Sequence, residues 1–312
     1  MLPISIVEEA HENRTNAAAF LEGRYENSPG EAQRTPGNAA RWNVSPGRGD
    51  ANPIPQTLRS GFPQPPPIIL EFMCGRFARR STQEVLADWF GVELEDMPWF
   101  APTYNAAPQS VQPVLRLNRD SGKREFAQLR WGLVPFWAKD AKFGYTTINA
   151  RAEEVAAKPA YREALKKRRC LVPADAFYEW QRMDKKTKFP FAFALKSGEP
   201  YAMAGLWERW QPKEGEALET FTVLTTDPNE LMEPVHNRMP VILEPRDYER
   251  WLDPRGLNSG ESARPPVDLL RPFPAEKMVS WPVSDRVGNV RNNDTQLLEP
   301  LEPSAPGLFP AD

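Results

Sequence analysis

An α+β domain, built on a curved, largely antiparallel, barrel-like β-sheet flanked by short helices, is what the sequence predicts, and three observations predict it. Segments with strand character outnumber those with helical periodicity. The strand-like segments follow one another across short polar turns, as hairpins do. All of them fall within 73–298, a length that one domain can fill.

Taken in order, Arg76–Ala78 reads as a strand, and Ser81-Thr82-Gln83-Glu84 follows as a capping box at the start of a helix. Val85, Leu86, Trp89 and Phe90 mark one face of that helix, which Gly91 stops. Val111–Leu117 and Glu125–Trp131 read as strands joined by a turn at Asp120-Ser121-Gly122-Lys123. Pro159, with its fixed φ, suits the first turn of a helix running through Ala164-Leu165-Lys166-Lys167. Phe189, Phe191, Phe193 and Leu195 alternate with smaller residues at the period of a strand, and Ser197-Gly198-Glu199-Pro200 turns it into Tyr201–Trp207. Phe221–Thr226 and Met239–Leu243 complete the strands, and Asp247–Leu252 forms a short helix. There is no internal repeat and no glycine-rich phosphate cradle.

The flanks differ in kind. Residues 1–72 hold ten prolines and no periodic apolar pattern, so they cannot offset their ordering entropy and read as a disordered leader. No continuous apolar stretch follows a basic start, which excludes a secretory signal. Residues 299–312, with four prolines, read as a frayed tail. The net charge of −3 and a pI of about 5.7 carry no bulk signature of nucleic-acid binding, leaving only local clusters to supply one. Two cysteines, Cys74 and Cys170, exclude a disulfide framework and fit a reducing cytoplasm. With one histidine in the domain they are also too few and too scattered for zinc, so neither a metal nor another cofactor is expected. No apolar run approaches bilayer length, and no membrane partner is expected.

Four short blocks set reactive polar residues among strand formers: Cys74-Gly75-Arg76-Phe77, Asn149-Ala150-Arg151-Ala152-Glu153, the run from Cys170 to Trp180 that contains Glu179, and His236-Asn237-Arg238-Met239-Pro240. An aromatic-rich loop, Trp131-Gly132-Leu133-Val134-Pro135-Phe136-Trp137, lies between the first two. Cys74 follows a methionine where leader-like sequence gives way to globular sequence. If the chain starts at Met73, or is cut there, Cys74 carries a free amine and a thiol on one carbon skeleton. Such an aminothiol captures an aldehyde, the amine as a Schiff base and the thiol by closing a thiazolidine ring. An α-amine titrates near ~8 and a thiol near ~8.5, so both are available around neutrality. The alternative is an internal cysteine buried as a small hydrophobe.

In combination, order and spacing these blocks resemble the SOS response-associated peptidase family, the SRAP-domain abasic-site processing proteins, from Met73 to about Asn293. The resemblance implies a protein whose N-terminal cysteine, exposed by loss of the initiator methionine, crosslinks covalently to abasic sites in single-stranded DNA. The ring-opened deoxyribose there carries the aldehyde, and the crosslink shields the site during the DNA damage response. Cys74 matches the nucleophile; Asn149, Glu179 and His236 match the other active-site positions; Arg76, Arg151 and Arg238 match contacts to the DNA backbone. The resemblance further implies β-lyase chemistry through the Schiff base and a self-processing peptidase. It also implies DNA at junctions of single and double strand as a substrate, a monomer, and a cytoplasmic protein that is nucleoid-associated if bacterial. One departure matters: Cys74 is internal here, and an amide-bonded cysteine has no amine to give.

The same residues make chemical sense without the family. Glu179, between Tyr178 and Trp180, sits in an apolar setting that favours a protonated carboxyl and suits acid–base work; a salt-bridged strand glutamate is the alternative. His236 is a natural proton donor near neutrality, or a loop histidine bonded to backbone. The Asn149 amide can orient a sugar or an amine, or cap a turn. The three arginines suit phosphates through bidentate bonds. Trp131 is expected in the core, with Phe136 and Trp137 exposed to stack on bases. Lys166-Lys167-Arg168-Arg169 reads as a solvated helix end or a nonspecific DNA-facing patch. Two other functions remain open: a cysteine hydrolase with His236 and Glu179 as base and orienter, and a noncovalent DNA-binding module with a structural Cys74.

Overall fold

The computed structural model describes residues 75–118, 120–184, 187–254 and 264–301, all within one compact unit. The leader 1–72, Met73, Cys74 and the tail beyond Leu301 lie outside the described residues. The described residues hold thirteen strands: β1 Arg76–Arg79, β2 Thr103–Ala106, β3 Val111–Leu117, β4 Arg124–Trp131, β5 Asn149–Arg151, β6 Arg169–Ala174, β7 Ala176–Arg182, β8 Lys188–Leu195, β9 Tyr201–Trp210, β10 Leu218–Thr226, β11 Met239–Pro240, β12 Ile242–Leu243 and β13 Met278–Pro282.

Five of them close into a ring: β4 pairs with β3, β3 with β6, β6 with β9, β9 with β10, and β10 with β4. Each antiparallel pairing reverses direction, and a closed circuit needs an even number of reversals. A five-strand ring therefore requires at least one parallel pair, and β10–β4 is that pair (Thr220↔Arg130, Phe221↔Trp131). Where β4 ends at Trp131, β5 takes over the same edge of β10, again in parallel (Val223↔Asn149, Thr225↔Arg151). A second sheet, in the order β13-β8-β7-β1-β2, is antiparallel throughout.

Alternating residues of the ring strands feed two cores, as the period of a strand requires. Leu115, Leu171, Ala204 and Leu224 pack with the helices Gln83–Phe90, Arg162–Lys167 and Tyr248–Leu252 through Leu86, Phe90, Leu165, Tyr248 and Trp251. A five-strand ring has no room for a helix, so this set faces outward. Val114, Val172, Met203 and Val223 form the inward set and meet Phe77, Phe177 and Phe193 of the second sheet. That sheet is buried on its other face as well, where Ala78, Ala176, Ala192, Ala194, Val279 and Trp281 pack with Val287, Leu297 and Leu298 from the segment after β13. No helix among the described residues is long and apolar enough to cross a membrane.

Several local expectations need correction. The helix begins at Gln83 with Thr82 as its N-cap, and the Ser81 hydroxyl bonds the buried Asp175 carboxylate (2.6 Å) instead of capping. Val85, read as part of the apolar face, is 47% exposed, and Ala87 is buried in its place. Gly91 does stop the helix, at φ 63°, with its N–H on the Ala87 and Asp88 carbonyls. The helix expected from Pro159 begins at Arg162. The run Lys166-Lys167-Arg168-Arg169 is only half a surface patch. Arg168 pairs with Glu208, and buried Arg169 donates to the carbonyls of Leu165, Trp251 and Asp253. Unpaired cations are too costly to bury, so tertiary partners claimed those two.

The loop after β4 is held by one close approach. Gly132 has φ 126°, and its N–H donates to the Phe221 carbonyl (2.8 Å). A Cβ there would lie 2.3 Å from the Gly144 carbonyl oxygen, which Gln109 Nε2 also bonds (3.0 Å). Gly132→Ala should therefore destabilise by about 3 kcal/mol or more. Gly122→Ala, also at positive φ (69°) but with nothing near its Cβ, should cost only about 1 kcal/mol. Urea unfolding midpoints of the two variants check this, and equal costs would contradict the close approach.

Candidate functional site

The site lies where β4 hands β10 over to β5. The Trp131 ring is buried, stacked with Phe221 at 6.1 Å, and its indole N–H donates to the Ile148 carbonyl (2.8 Å). That bond fixes the residue before Asn149. Asn149 and Arg151, two residues apart on a short strand, share one face; Ala150 between them enters the core. Arg151 is exposed and Asn149 half-buried, with the Asn149 carbonyl accepting from the Tyr161 hydroxyl (3.2 Å).

Glu179 comes from β7 and is only 2% exposed. It lies on the same face as Phe177 and opposite Phe191 of β8. The register of β1 against β7, Arg76↔Tyr178 and Phe77↔Phe177, runs out toward Glu179. Gly75, which precedes the strand, is buried. Arg76 is half-buried, donates to the carbonyls of Gly75 (3.1 Å) and Gly288 (3.4 Å), and has no salt bridge to a described carboxylate. Burial lowers its pKa from the usual arginine value.

His236 sits in the loop between β10 and β11. Its own N–H donates to the Met232 carbonyl (3.0 Å), and its ring Nδ1 accepts the backbone N–H of Arg238 (3.2 Å). With Nδ1 accepting, the neutral ring carries its proton on Nε2. The loop also meets β7, whose Gln181 side chain donates to the Pro234 carbonyl (3.0 Å). Burial lowers the His236 pKa below 6.5, and the Lys188 cation of β8 lowers it further. The protonated fraction near neutrality is therefore smaller than an unperturbed histidine would have. The ring's available donor there is the neutral Nε2–H.

Arg238, read from the sequence as a phosphate contact, is committed elsewhere. It is 7% exposed, and all four of its Nη hydrogens are used. Nη1 bonds Glu153 Oε1 (2.8 Å) and Asp227 Oδ1 (2.9 Å), while Nη2 bonds Glu153 Oε2 (2.9 Å) and the Thr225 carbonyl (2.7 Å). A buried guanidinium needs its charge matched, and these two carboxylates match it. Phe136 and Trp137 are 57% and 47% exposed, with Trp137 edge-on to Phe143 at 5.4 Å. Ala138 accepts the Trp210 indole N–H (2.7 Å) just beyond them, so the aromatic pair stands on an anchored loop. Sequence reasoning quoted Glu153 without giving it a role and passed over Asp227, Gln181 and Lys188. Their partners lie on other strands, and no local pattern points to them.

The arrangement defines a class: a β-rich domain in which a short strand beside a closed ring carries an amide and an exposed arginine, the loop after β10 carries a half-buried histidine, and the second sheet buries a carboxylate. The chain belongs to the SOS response associated peptidase (SRAP) family, which it matches over residues 73–290. It is 43% identical over 229 residues to the abasic site processing protein YoqW of Bacillus subtilis, covering 73% of this chain and 99% of that protein. It is 35% identical to the abasic site processing protein HMCES of Gallus gallus, covering 66% and 68%. Among solved structures, a protein from Bacteroides thetaiotaomicron aligns with a TM-score of 0.63 at 27% identity, over 73% of this chain and all of that one. A Bordetella bronchiseptica protein aligns at 0.56 and 28% identity, over 68% and 100%.

The lowered His236 pKa yields a titration. Only two histidines exist in the chain, so their NMR signals separate readily. His236 should titrate with a midpoint below 6.5, and Lys188→Met should raise that midpoint by removing a nearby cation. Because the folded state favours the neutral ring, acidification through the unfolded histidine's pKa should lower stability, and His236→Gln should remove that contribution. A midpoint at or above 6.5 would contradict the burial of the ring.

Proposed function

We propose that this chain processes abasic sites in single-stranded DNA, forming a thiazolidine crosslink through Cys74 once that residue is N-terminal. The observation that carries the reading is the register of β1. The strand opens two residues after Cys74 with Arg76 paired to Tyr178, the neighbour of buried Glu179, and the family match likewise begins at Met73. The names of the curated relatives support the same substrate.

In this reading the α-amine of Cys74 adds to the open-chain aldehyde and loses water to give an imine. The thiolate then adds to the imine carbon, and the ring nitrogen takes up the proton. Glu179 moves protons in both steps from a site largely closed to solvent. His236 donates its Nε2–H toward the sugar ring oxygen, speeding opening of the closed hemiacetal that otherwise predominates. Asn149 orients the sugar. Arg151 and Arg76 receive phosphates, which position a strand without reading its sequence. Phe136 and Trp137 offer stacking faces for bases, or a wedge at a junction with duplex. If the imine persists, it acidifies the adjacent sugar carbon and allows β-elimination of the 3′ phosphate, the lyase branch. Hydrolysis of the bond before Cys74 is the self-processing branch, and 73–298 is the domain that acts.

Incubation with an abasic single-stranded oligonucleotide tests the reading. The chain beginning at Cys74 should give a denaturation-resistant adduct, and Cys74→Ser only a labile imine that borohydride traps. Uncleaved 1–312 should give neither, because its Cys74 lacks an amine. Intact-mass detection of a crosslink to uncleaved chain would sink the proposal, and turnover of peptides without any adduct would favour a cysteine hydrolase.

The arginines separate by salt. Arg151→Ala should weaken noncovalent binding and flatten its dependence on log salt by about one unit. Arg238→Ala should leave the slope unchanged, because its charge is already matched within the protein. Fluorescence anisotropy across a salt series measures both, and a flattened slope for Arg238→Ala would restore it as a phosphate contact.

A further inference from the structure

We propose that Glu153 is a positioning residue for His236, acting through Arg238 to set which ring nitrogen carries the proton. The geometry is a continuous chain of contacts. The two Glu153 oxygens hold Nη1 and Nη2 of Arg238 as a fork (2.8 and 2.9 Å). Asp227 and the Thr225 carbonyl of β10 hold the outer hydrogens (2.9 and 2.7 Å). The Arg238 backbone, fixed by this anchor, presents its N–H to His236 Nδ1 (3.2 Å). From the other side, the His236 N–H is tied to Met232, whose own N–H is held by the Asn229 side chain (2.9 Å). Rotation of the ring would sacrifice the Nδ1 bond, so the donor is left on Nε2.

Glu153 lies two residues beyond Arg151, the end of the strand that carries Asn149. The fork therefore bridges 85 residues and joins the arm bearing Asn149 to the loop bearing His236. The Arg238 hydrogen bond lowers the Glu153 pKa and keeps the carboxylate ionised through neutrality. The placement is otherwise counterproductive for a protein that approaches phosphates, since Glu153 and Asp227 are both exposed carboxylates at the site's edge. Simple electrostatics predicts that removing Glu153 strengthens DNA binding and speeds reaction. Positioning predicts the opposite for the rate.

The kinetic arm of the test rests on His236 being the proton donor proposed above; the spectroscopic arm does not. In the full chain with ¹⁵N-labelled histidine, wild-type His236 should show Nδ1 unprotonated and Nε2 protonated, with His11 identified by comparison with His236→Gln. Glu153→Ala should admit a substantial Nδ1–H population, as should Arg238→Lys, which keeps the charge but loses the fork. Glu153→Gln, of nearly the same shape, guards against misfolding and should show the same change to a lesser degree. Crosslinking by the Cys74-initiated form of Glu153→Ala should slow about tenfold at saturating DNA, as misplacement of a reacting group does, while noncovalent affinity stays level or rises. An unchanged ring tautomer in both Glu153 variants would overturn the proposal, whatever the rate does. A changed tautomer with an undiminished rate would uphold the positioning role and remove His236 from the chemistry.

Discussion

Closing five strands into a ring is the constraint on which the rest of this structure depends. Because an odd ring cannot be antiparallel throughout, one junction must be parallel, and β10–β4 supplies it. No hairpin joins that parallel pair: the chain leaving β4 reaches β10 only after β5 to β9, of which β6 and β9 are ring strands. Everything between Gly132 and Ile148 occupies the space that this departure creates, including the exposed Phe136–Trp137 pair. The same departure leaves the far half of the β10 edge open, and β5 fills it with Asn149 and Arg151. Closure and candidate site meet at this junction: β4 stops at Trp131, and Asn149 and Arg151 lie on the strand that continues the edge.

Charge at the mouth of the ring is arranged in two tiers. Glu179 and Arg238 are buried, and each must be satisfied by the protein, because an isolated ion out of water is costly. Arg151, Lys188 and half-buried Arg76 keep their charges closer to solvent. The division is one of burial: the buried groups take their partners from within the protein, and the others keep contact with water. Lys188 also bears on the His236 ring, lowering its pKa.

The fold was legible from the sequence where local chemistry and global packing agree. Alternation in Phe189–Leu195, the turn at Asp120–Lys123 and Gly91 as a helix stop all reappear, because each rests on backbone geometry that few residues can supply. The capping box failed because a distant partner competed for one of its groups: Asp175, buried and acidic, took the Ser81 hydroxyl. Arg168 and Arg169 were lost to the surface for a similar reason. Short strands such as β2, β5 and β13 were passed over, since three to five residues offer too little periodicity to stand out.

By itself the sequence determined the class of fold and the family, because strand period, turn chemistry and the order of short motifs are properties of the chain read along its length. It also separated buried Trp131 from exposed Phe136 and Trp137, since the proline before that pair marks a departure from the strand. Only the tertiary structure decided that Arg238 serves the protein, that Glu153 and Asp227 hold it, and that the His236 ring accepts at Nδ1 and so keeps its proton on Nε2. The identity of a side chain announces what it can bond. Which partner reaches it first depends on strands brought together from far apart in the chain, and the cost of burying an unmatched charge settles that contest.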